Sequence, residues 1–443
     1  MFFNRLNGKF QFILFYLLLI AQSTVGYDIV KNESSSNFLT TPEITTWDTD
    51  KTSFYGQFIE SPAIDNSEDF LVWKVNRGMG YIIKSATIIK NSVYLTFQHS
   101  HGNDVVCINL DSLTRKNFKI PEEIINFSSP FFASSDKQDK ILLSTSKRIR
   151  IFDQYHLEME NNLKVSLDCR IRPILFENNL VFAEGYRGWS MVRIDLDGNK
   201  IWECKLPGYV MSNPSVYGSL MIIQTRQGSY GGQATTAINL NNGKILWSET
   251  TDAYGYGVCF DDDAYYCFES DQFLCPQKTE AWIICRMANT GERKWEHIQR
   301  GGIQHRPVVD QNSNNVYAVF NKIADRKRGG GENEVICFKG DTGDICWRSK
   351  LTNPVKEPPS PSYEEYWPAL RLQNNMLMVL DEEDVLHFFD PKNGDLLLSL
   401  DLTPVKQIFS VPRREAVLID MPLIIKDKLL VFTNLGFVSY PIK

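Results

Sequence analysis

The 443-residue chain is 43% hydrophobic and 23% charged, enough to bury a large core and with nothing low in complexity, so a disordered or fibrous protein is excluded. Its 47 basic and 53 acidic residues leave a net charge of -6 dispersed along the chain, without the concentrated basic face that a nucleic-acid partner demands. The 9 cysteines, an odd number, leave at least one thiol unpaired in an oxidising compartment.

Arg5 and Lys9 precede the apolar run Phe12 to Ala21, and the small and polar stretch Gln22 to Gly26 follows it. That order predicts a secretory signal peptide over residues 1–26, because the apolar core is about ten residues long where a membrane span needs about 20. The expected location is extracellular, or periplasmic in a bacterium, with no membrane insertion. Residues 27–65, rich in Ser, Thr and Asn, predict a poorly ordered leader. Asn32-Glu33-Ser34 and Asn126-Phe127-Ser128 are acceptor sequences for N-glycans, which makes Asn32 and Asn126 the glycosylation candidates.

A phrase then recurs: an acidic or Asn residue, a turn Gly, three further residues and Trp. It appears as Asp197-Gly198 to Trp202, Asn241-Asn242-Gly243 to Trp247, Asn289-Thr290-Gly291 to Trp295, and Asp341-Thr342-Gly343 to Trp347. Weaker copies run from Asp390 through Gly394 to Leu398 and from Asp111 to Phe118, with a degenerate one near Leu163. From Trp202 to Leu398 the anchors stand 45 to 52 residues apart, the length of a four-stranded unit. Gly and Asn supply the positive φ of a tight hairpin, and the Trp gives the outer strand an aromatic to bury against its neighbour. Trp73, Phe118, Leu163, Trp202, Trp247, Trp295, Trp347 and Leu398 mark eight such strands. After Leu398 the text offers three strands, so the strand around Trp73 is expected to complete the last unit and remove a free sheet edge.

The phrase, with a Pro about twelve residues past the anchor at Pro130, Pro214 and Pro307, resembles the repeat of PQQ-type propellers. That family includes quinone-dependent alcohol dehydrogenases and a barrel-assembly lipoprotein of bacterial outer membranes. The resemblance implies an all-β fold in which residues 66–443 form one eight-bladed β-propeller of four-stranded antiparallel blades, closed by an N-terminal strand joining the C-terminal blade. It also implies one ligand-binding face, carrying His99-Ser100-His101, Tyr186 to Trp189, Arg226 to Gln233, Glu269 to Asp271 and Asn321 to Asn333. Cofactor-bearing members often carry adjacent cysteines against the quinone and bind calcium. This chain has no adjacent cysteines, so no cofactor is expected, PQQ with calcium being the alternative.

Mapping the repeat aims Arg172, Asn213, Arg306 and Trp367 at the central channel, with His305 and Tyr256 close by. Two guanidinium groups there would take a carboxylate, sulfate or phosphate, and Trp would stack on a sugar or aromatic ring; the alternative is that these groups bond backbone carbonyls and water. No metal site is expected, since His99 and His101 lack a third ligand and read as surface loop residues. Arg326-Lys327-Arg328 reads as a solvated hairpin tip, and Gly329-Gly330-Gly331 lacks the Lys and Ser or Thr of a phosphate loop. Cys337 and Cys346 stand about the Asp341-Thr342 turn and Cys259 and Cys267 about Asp263, so each pair is a candidate cross-hairpin disulfide or a pair of facing free thiols. The expected function is that of a secreted, non-catalytic binding protein that recognises a protein or glycan on its loop-rich face. The alternative is a secreted enzyme using the channel: a quinone-dependent dehydrogenase, or a transferase or lyase using the channel arginines and His305.

Overall fold

In a computed structural model the described residues are 56–59, 71–75, 82–165 and 173–441, less connecting segments within the last two ranges, of which 352–369 is the longest. They divide into two units, one of residues 121–403 and the other of residues 1–120 with 404–443.

The larger unit is a succession of antiparallel meanders, in which each strand pairs with the next in sequence except at the start of the third sheet. The first sheet holds Phe131–Ser135, Lys140–Ser144, Arg148–Asp153 and Met159–Lys164, and the second Ile174–Phe176, Asn179–Glu184, Ser190–Ile194 and Lys200–Lys205. In the third, the short strands Tyr209–Val210 and Ser215–Tyr217 both pair with Leu220–Arg226, followed by Gln233–Asn239 and Ile245–Thr251. The fourth holds Tyr254–Asp261, Ala264–Ser270, Glu280–Met287 and Arg293–Arg300. The fifth runs through Val308–Asp310, Asn315–Lys322, Glu332–Lys339 and Ile345–Leu351, and the sixth through Leu370–Gln373, Met376–Leu380, Val385–Phe389 and Leu396–Asp401. Middle strands are buried on both faces, as Leu220–Arg226 is throughout, while outer strands such as Lys200–Lys205 alternate. That contrast is the signature of sheets stacked face to face with only their outer edges wet.

The recurring phrase explains how consecutive sheets hold one another. The indole N–H of Trp202 donates to the Leu240 carbonyl at 2.9 Å, that of Trp247 to Ala288 at 2.9 Å, that of Trp295 to Gly340 at 2.7 Å and that of Trp347 to Pro391 at 2.9 Å. Each acceptor lies three residues before the turn Gly of the next copy, so one phrase reads the next. At Gly343, φ is +74° and a Cβ would fall 2.7 Å from the Trp295 ring, so the position demands both a left-handed backbone and a bare α-carbon. Gly243, Gly291 and Gly394 stand in the same relation to Trp202, Trp247 and Trp347. Immediately before each of these four tryptophans the ladder slips by one residue, a β-bulge that re-aims the ring. Leu163 fills the corresponding place under Gly198 at 3.6 Å, and Leu398 occupies the same register in the sixth sheet but is 51% exposed. Apolar clusters lie between consecutive sheets, for example Tyr266, Phe268 and Ile283 of the fourth with Val316, Phe320 and Phe338 of the fifth.

In the smaller unit, Ile82–Ile89, Ser92–His99, Gly102–Asn109 and Arg115–Ile120 form a four-stranded meander. A second sheet has the order Gly56–Ile59, Leu71–Val75, Gly436–Pro441, Lys428–Thr433, Leu423–Ile425. Trp73 stands opposite Phe437 there, so an N-terminal strand does pair with the last strand of the chain. Within the stretch 27–65, expected as a poorly ordered leader, Gly56–Ile59 is a strand, with Phe58 opposite Trp73. The stretch Gln57-Phe58-Ile59 carries the aromatic and β-branched residues that suit a strand, and the composition of the whole leader hid them. The two sheets share a core of Val93, Leu95, Val106 and Ile108 with Leu430, Phe432 and Phe437. Among the described residues the α-helix is Thr403–Phe409, and none is long and apolar enough to cross a membrane.

Candidate functional site

Arg172, Asn213, His305, Arg306 and Trp367, expected at the channel, lie outside the described residues, as do Asn32, Asn126 and residues 1–26. Tyr256 lies in the strand Tyr254–Asp261, its backbone opposite Phe268 and its side chain outside the described part.

What the described residues do bring together is a corner where the second and third sheets of the larger unit meet. The outer strand of the second sheet ends at Lys205, and the chain turns through Leu206-Pro207-Gly208 into Tyr209–Val210. The backbone N–H of Leu206 donates to the carbonyl of Trp189 at 2.9 Å, which ties the turn to the start of Ser190–Ile194. Gly208 passes so near Arg226 that a Cβ would lie 2.5 Å from the Arg226 backbone, so only glycine lets the strand settle with Tyr209 opposite Arg226. The Trp189 and Tyr209 rings then meet edge to face at 6.2 Å. Tyr209 is buried, whereas Trp189 is 45% exposed. Across the neighbouring hairpin Arg226 pairs with Gln233, both buried, and the N–H of Gln227 donates to the Gly232 carbonyl at 3.0 Å. The result is a half-exposed indole on a tied backbone against the buried ring of Tyr209, an arrangement that offers a large apolar contact at little cost in side-chain entropy. Trp189 belongs to one of the loops that the repeat assigned to the binding face. Tyr209 was missed, and the Pro207-Gly208 pair just before it was the available signal.

Several buried charges in this unit have partners on their own sheet or on the next one. Arg193 donates to the Leu240 carbonyl at 2.7 Å, pairs with Glu177 at 3.3 Å and lies over the Phe176 ring. Arg286 bonds Glu249 and the Gly291 carbonyl, with Glu269 at 4.0 Å. Glu334 accepts from Arg348 at 3.1 Å and from Gln299 at 3.1 Å. His387 contacts Asp381 Oδ2 through Nε2 at 3.0 Å and Ser399 Oγ through Nδ1 at 2.9 Å, and Asp381 Oδ1 accepts from the Val385 N–H at 2.8 Å. The residue types are those of a hydrolytic triad. Here His387 and Ser399 are directly opposed in the β ladder between Val385–Phe389 and Leu396–Asp401. The network instead pins the turn from Asp381 to Val385, with the Leu402 N–H donating to the Asp384 carbonyl at 2.9 Å. Among the described residues no group of three or more His, Cys, Asp and Glu side chains is placed to hold a metal ion.

The cysteine pairs divide. The turn after Asp261 is closed by Asp261 opposite Ala264, so Cys259 stands opposite Tyr266 and Cys267 opposite Val258. The backbone of Cys259 therefore stands one register step from the place opposite Cys267, and the Cys259 side chain lies outside the described part. Cys337 and Cys346 are both free thiols, one buried and one exposed.

The family described as outer membrane protein assembly factor BamB matches the chain over residues 162–323 and 280–436, more than half its length. No curated protein matches the sequence. Among solved structures, the computationally designed Ika8 protein superposes with a TM-score of 0.54 at 12% identity, covering 82% of this chain and 98% of that one. BamB from Moraxella catarrhalis gives 0.51 at 10% identity, covering 83% and 99%. The quinohemoprotein alcohol dehydrogenase ADHIIG from Pseudomonas putida HK5 gives 0.50 at 8% identity, covering 82% and 76%. At these identities the structural likeness concerns the fold alone, and it agrees with the sheet-to-sheet tryptophan pattern. This chain belongs to the PQQ-like repeat β-propeller family whose description is outer membrane protein assembly factor BamB.

Proposed function

We propose that the chain is a secreted, non-catalytic binding protein whose mature part, residues 66–443, is an eight-bladed propeller closed by its N-terminal strand, and that it holds a protein partner on the loop-rich face with Trp189 as an anchor. The observation that carries this reading is the exposure of Trp189 at 45% on a backbone fixed by Leu206 and against the buried ring of Tyr209. A solvated Trp held in one place is characteristic of the residues that dominate protein interfaces. The family's description as an assembly factor supports a protein over a glycan as the ligand. The likeness to a quinohemoprotein dehydrogenase concerns the fold alone, and Arg286, Glu334 and His387 each have a structural partner in the sheets.

The test is affinity purification of the full chain from its source, identification of the co-purifying protein, and titration of that protein against wild type and Trp189→Ala. Wild-type affinity reduced at least about thirtyfold in the variant, a hot-spot loss of about 2 kcal/mol, is the expected result, with an unchanged melting temperature because the side chain is half wet. Equal affinities would remove Trp189 from the interface. Turnover of an alcohol after reconstitution with PQQ and calcium would overturn the non-catalytic reading altogether.

A further inference from the structure

We propose that Cys337 and Cys346 form a reversible modification site, two thiols that close to a cross-strand disulfide under oxidising conditions and clamp the hairpin carrying Trp347. They lie on adjacent strands of one sheet, Glu332–Lys339 and Ile345–Leu351. The ladder pairs Cys337 with Trp347 and Phe338 with Ile345, so Cys346 is the extra residue of the bulge. In a bulge of this kind two consecutive residues face one on the partner strand, which sets Cys346 and Trp347 together opposite Cys337. The side chains agree with the backbone: the Cys346 thiol is near enough to Cys337 to help hold its proton on, and Cys346 Sγ also lies 3.8 Å from Asn315 Oδ1. Both are free, Cys337 fully buried and Cys346 exposed, so one sulfur meets solvent and the other waits behind it.

The sheets on either side show that this is a departure from the repeat. The equivalent bulge residues are Ile201, Leu246, Lys294 and Leu397, facing Arg193, Ala237, Cys285 and Phe388. Of these five positions only the one in the fifth sheet carries cysteine on both strands. Residues directly opposed on adjacent antiparallel strands have α-carbons about 4.5 to 5.5 Å apart, inside the roughly 4.4 to 6.8 Å that a disulfide spans.

The oxidant is a small disulfide of the glutathione class. The Cys346 thiolate attacks one of its sulfurs, the oxidant's S–S bond breaks, and one thiol leaves with a proton from solvent. Cys337, once deprotonated, attacks Cys346 Sγ of the mixed disulfide and expels the second thiol; two protein thiols and one small disulfide become one protein disulfide and two small thiols. Burial, then the neighbouring Cys346, holds the Cys337 thiol well above its ordinary range, so the second step is the slow one and quickens as pH rises. The proposal rests on the secreted reading only for the compartment in which the oxidant is met, and the test below does not depend on it.

The full chain, purified with its thiols reduced, is incubated with oxidised glutathione, alkylated after denaturation, cut with trypsin and mapped by mass. Cleavage at Lys339 puts the two cysteines on separate peptides, so a disulfide joins them into one species two hydrogens lighter than their sum. Its formation in wild type, its loss in Cys346→Ser, and a melting temperature raised by oxidant in wild type alone are the expected results. Both cysteines alkylated after oxidation, or a lasting glutathione adduct on Cys346 with Cys337 still a thiol, overturns the proposal. Because Cys346 is exposed, Cys346→Ala serves as a second folded control if the serine variant expresses poorly.

Discussion

Trp295 illustrates what one residue does in this architecture. Its indole N–H reaches the Gly340 carbonyl at 2.7 Å, and its ring packs against Tyr266 and Phe338 and under Gly343. Replacement by Ala removes the ring, opens a cavity between the fourth and fifth sheets and strands a carbonyl, which together should cost about 3 to 5 kcal/mol. Trp295→Phe keeps most of the packing and loses only the donor, so about 1 to 2 kcal/mol is expected. Gly343→Ala places a methyl 2.7 Å from the same ring at a φ of +74°, so it should also destabilise, with no atom of the tryptophan removed. Urea unfolding of the three variants orders them, and a Trp295→Phe loss equal to that of Trp295→Ala would show that the donor rather than the ring holds the sheets together.

At the scale of the element, the outer strand Arg293–Arg300 crosses from its own sheet to the next through polar as well as apolar contacts. His297 packs 5.0 Å from the Phe338 ring, Gln299 donates to Glu334 at 3.1 Å, and Arg348 donates to Gln299 at 3.3 Å. Burial, helped by the nearby positive charge of Arg348, holds the imidazole below its ordinary pKa against the opposing pull of Gln299 and Glu334. The folded protein therefore keeps His297 neutral where the unfolded chain begins to protonate, below about pH 6.5. Its contribution is intact above that pH and is lost as the pH falls towards the depressed folded value, because the unfolded state then binds the extra proton. His297→Gln should flatten the decline of the urea midpoint between about pH 7 and 5; parallel profiles for wild type and variant would remove His297 from the account. The strand also marks where sequence and structure part. The acidic-Gly-Trp phrase was legible because a left-handed turn and an indole lying on a bare α-carbon tolerate few substitutes, so Gly343 and Trp295 announce themselves. Leu163 and Leu398 read as degenerate anchors, since an aliphatic side chain fills the same place without a donor to specify it. The bulge before each Trp left no mark, because it requires only one extra residue of any type, and that hidden residue is what displaced Cys346 from the symmetric pairing its spacing suggested. Tyr209 was hidden for a related reason: its contact with Trp189 depends on a chain crossing between sheets that no local period records.

For the molecule as a whole the deciding element is the strand Leu71–Val75, which joins residues more than 350 positions later in the chain by pairing with Gly436–Pro441. Long-range pairing of this kind is slow to form and leaves a templating edge when it fails. Two truncations separate its role from that of the segment before it. Removing residues 1–60 deletes Gly56–Ile59 but leaves Leu71–Val75 to cover the last strand, so a monomer of nearly unchanged melting temperature is expected by light scattering after size-exclusion chromatography. Removing residues 1–78 takes both strands and exposes the backbone of Gly436–Pro441 between Gly436 and Ser439, the stretch now paired with Leu71 to Lys74. That chain should self-associate through the bare edge and unfold at lower temperature, and adding a peptide of residues 66–78 in excess should restore the monomer by refilling the position. If the shorter chain stays monomeric and equally stable without the peptide, the N-terminal strand is an ornament on the last sheet and does not close it.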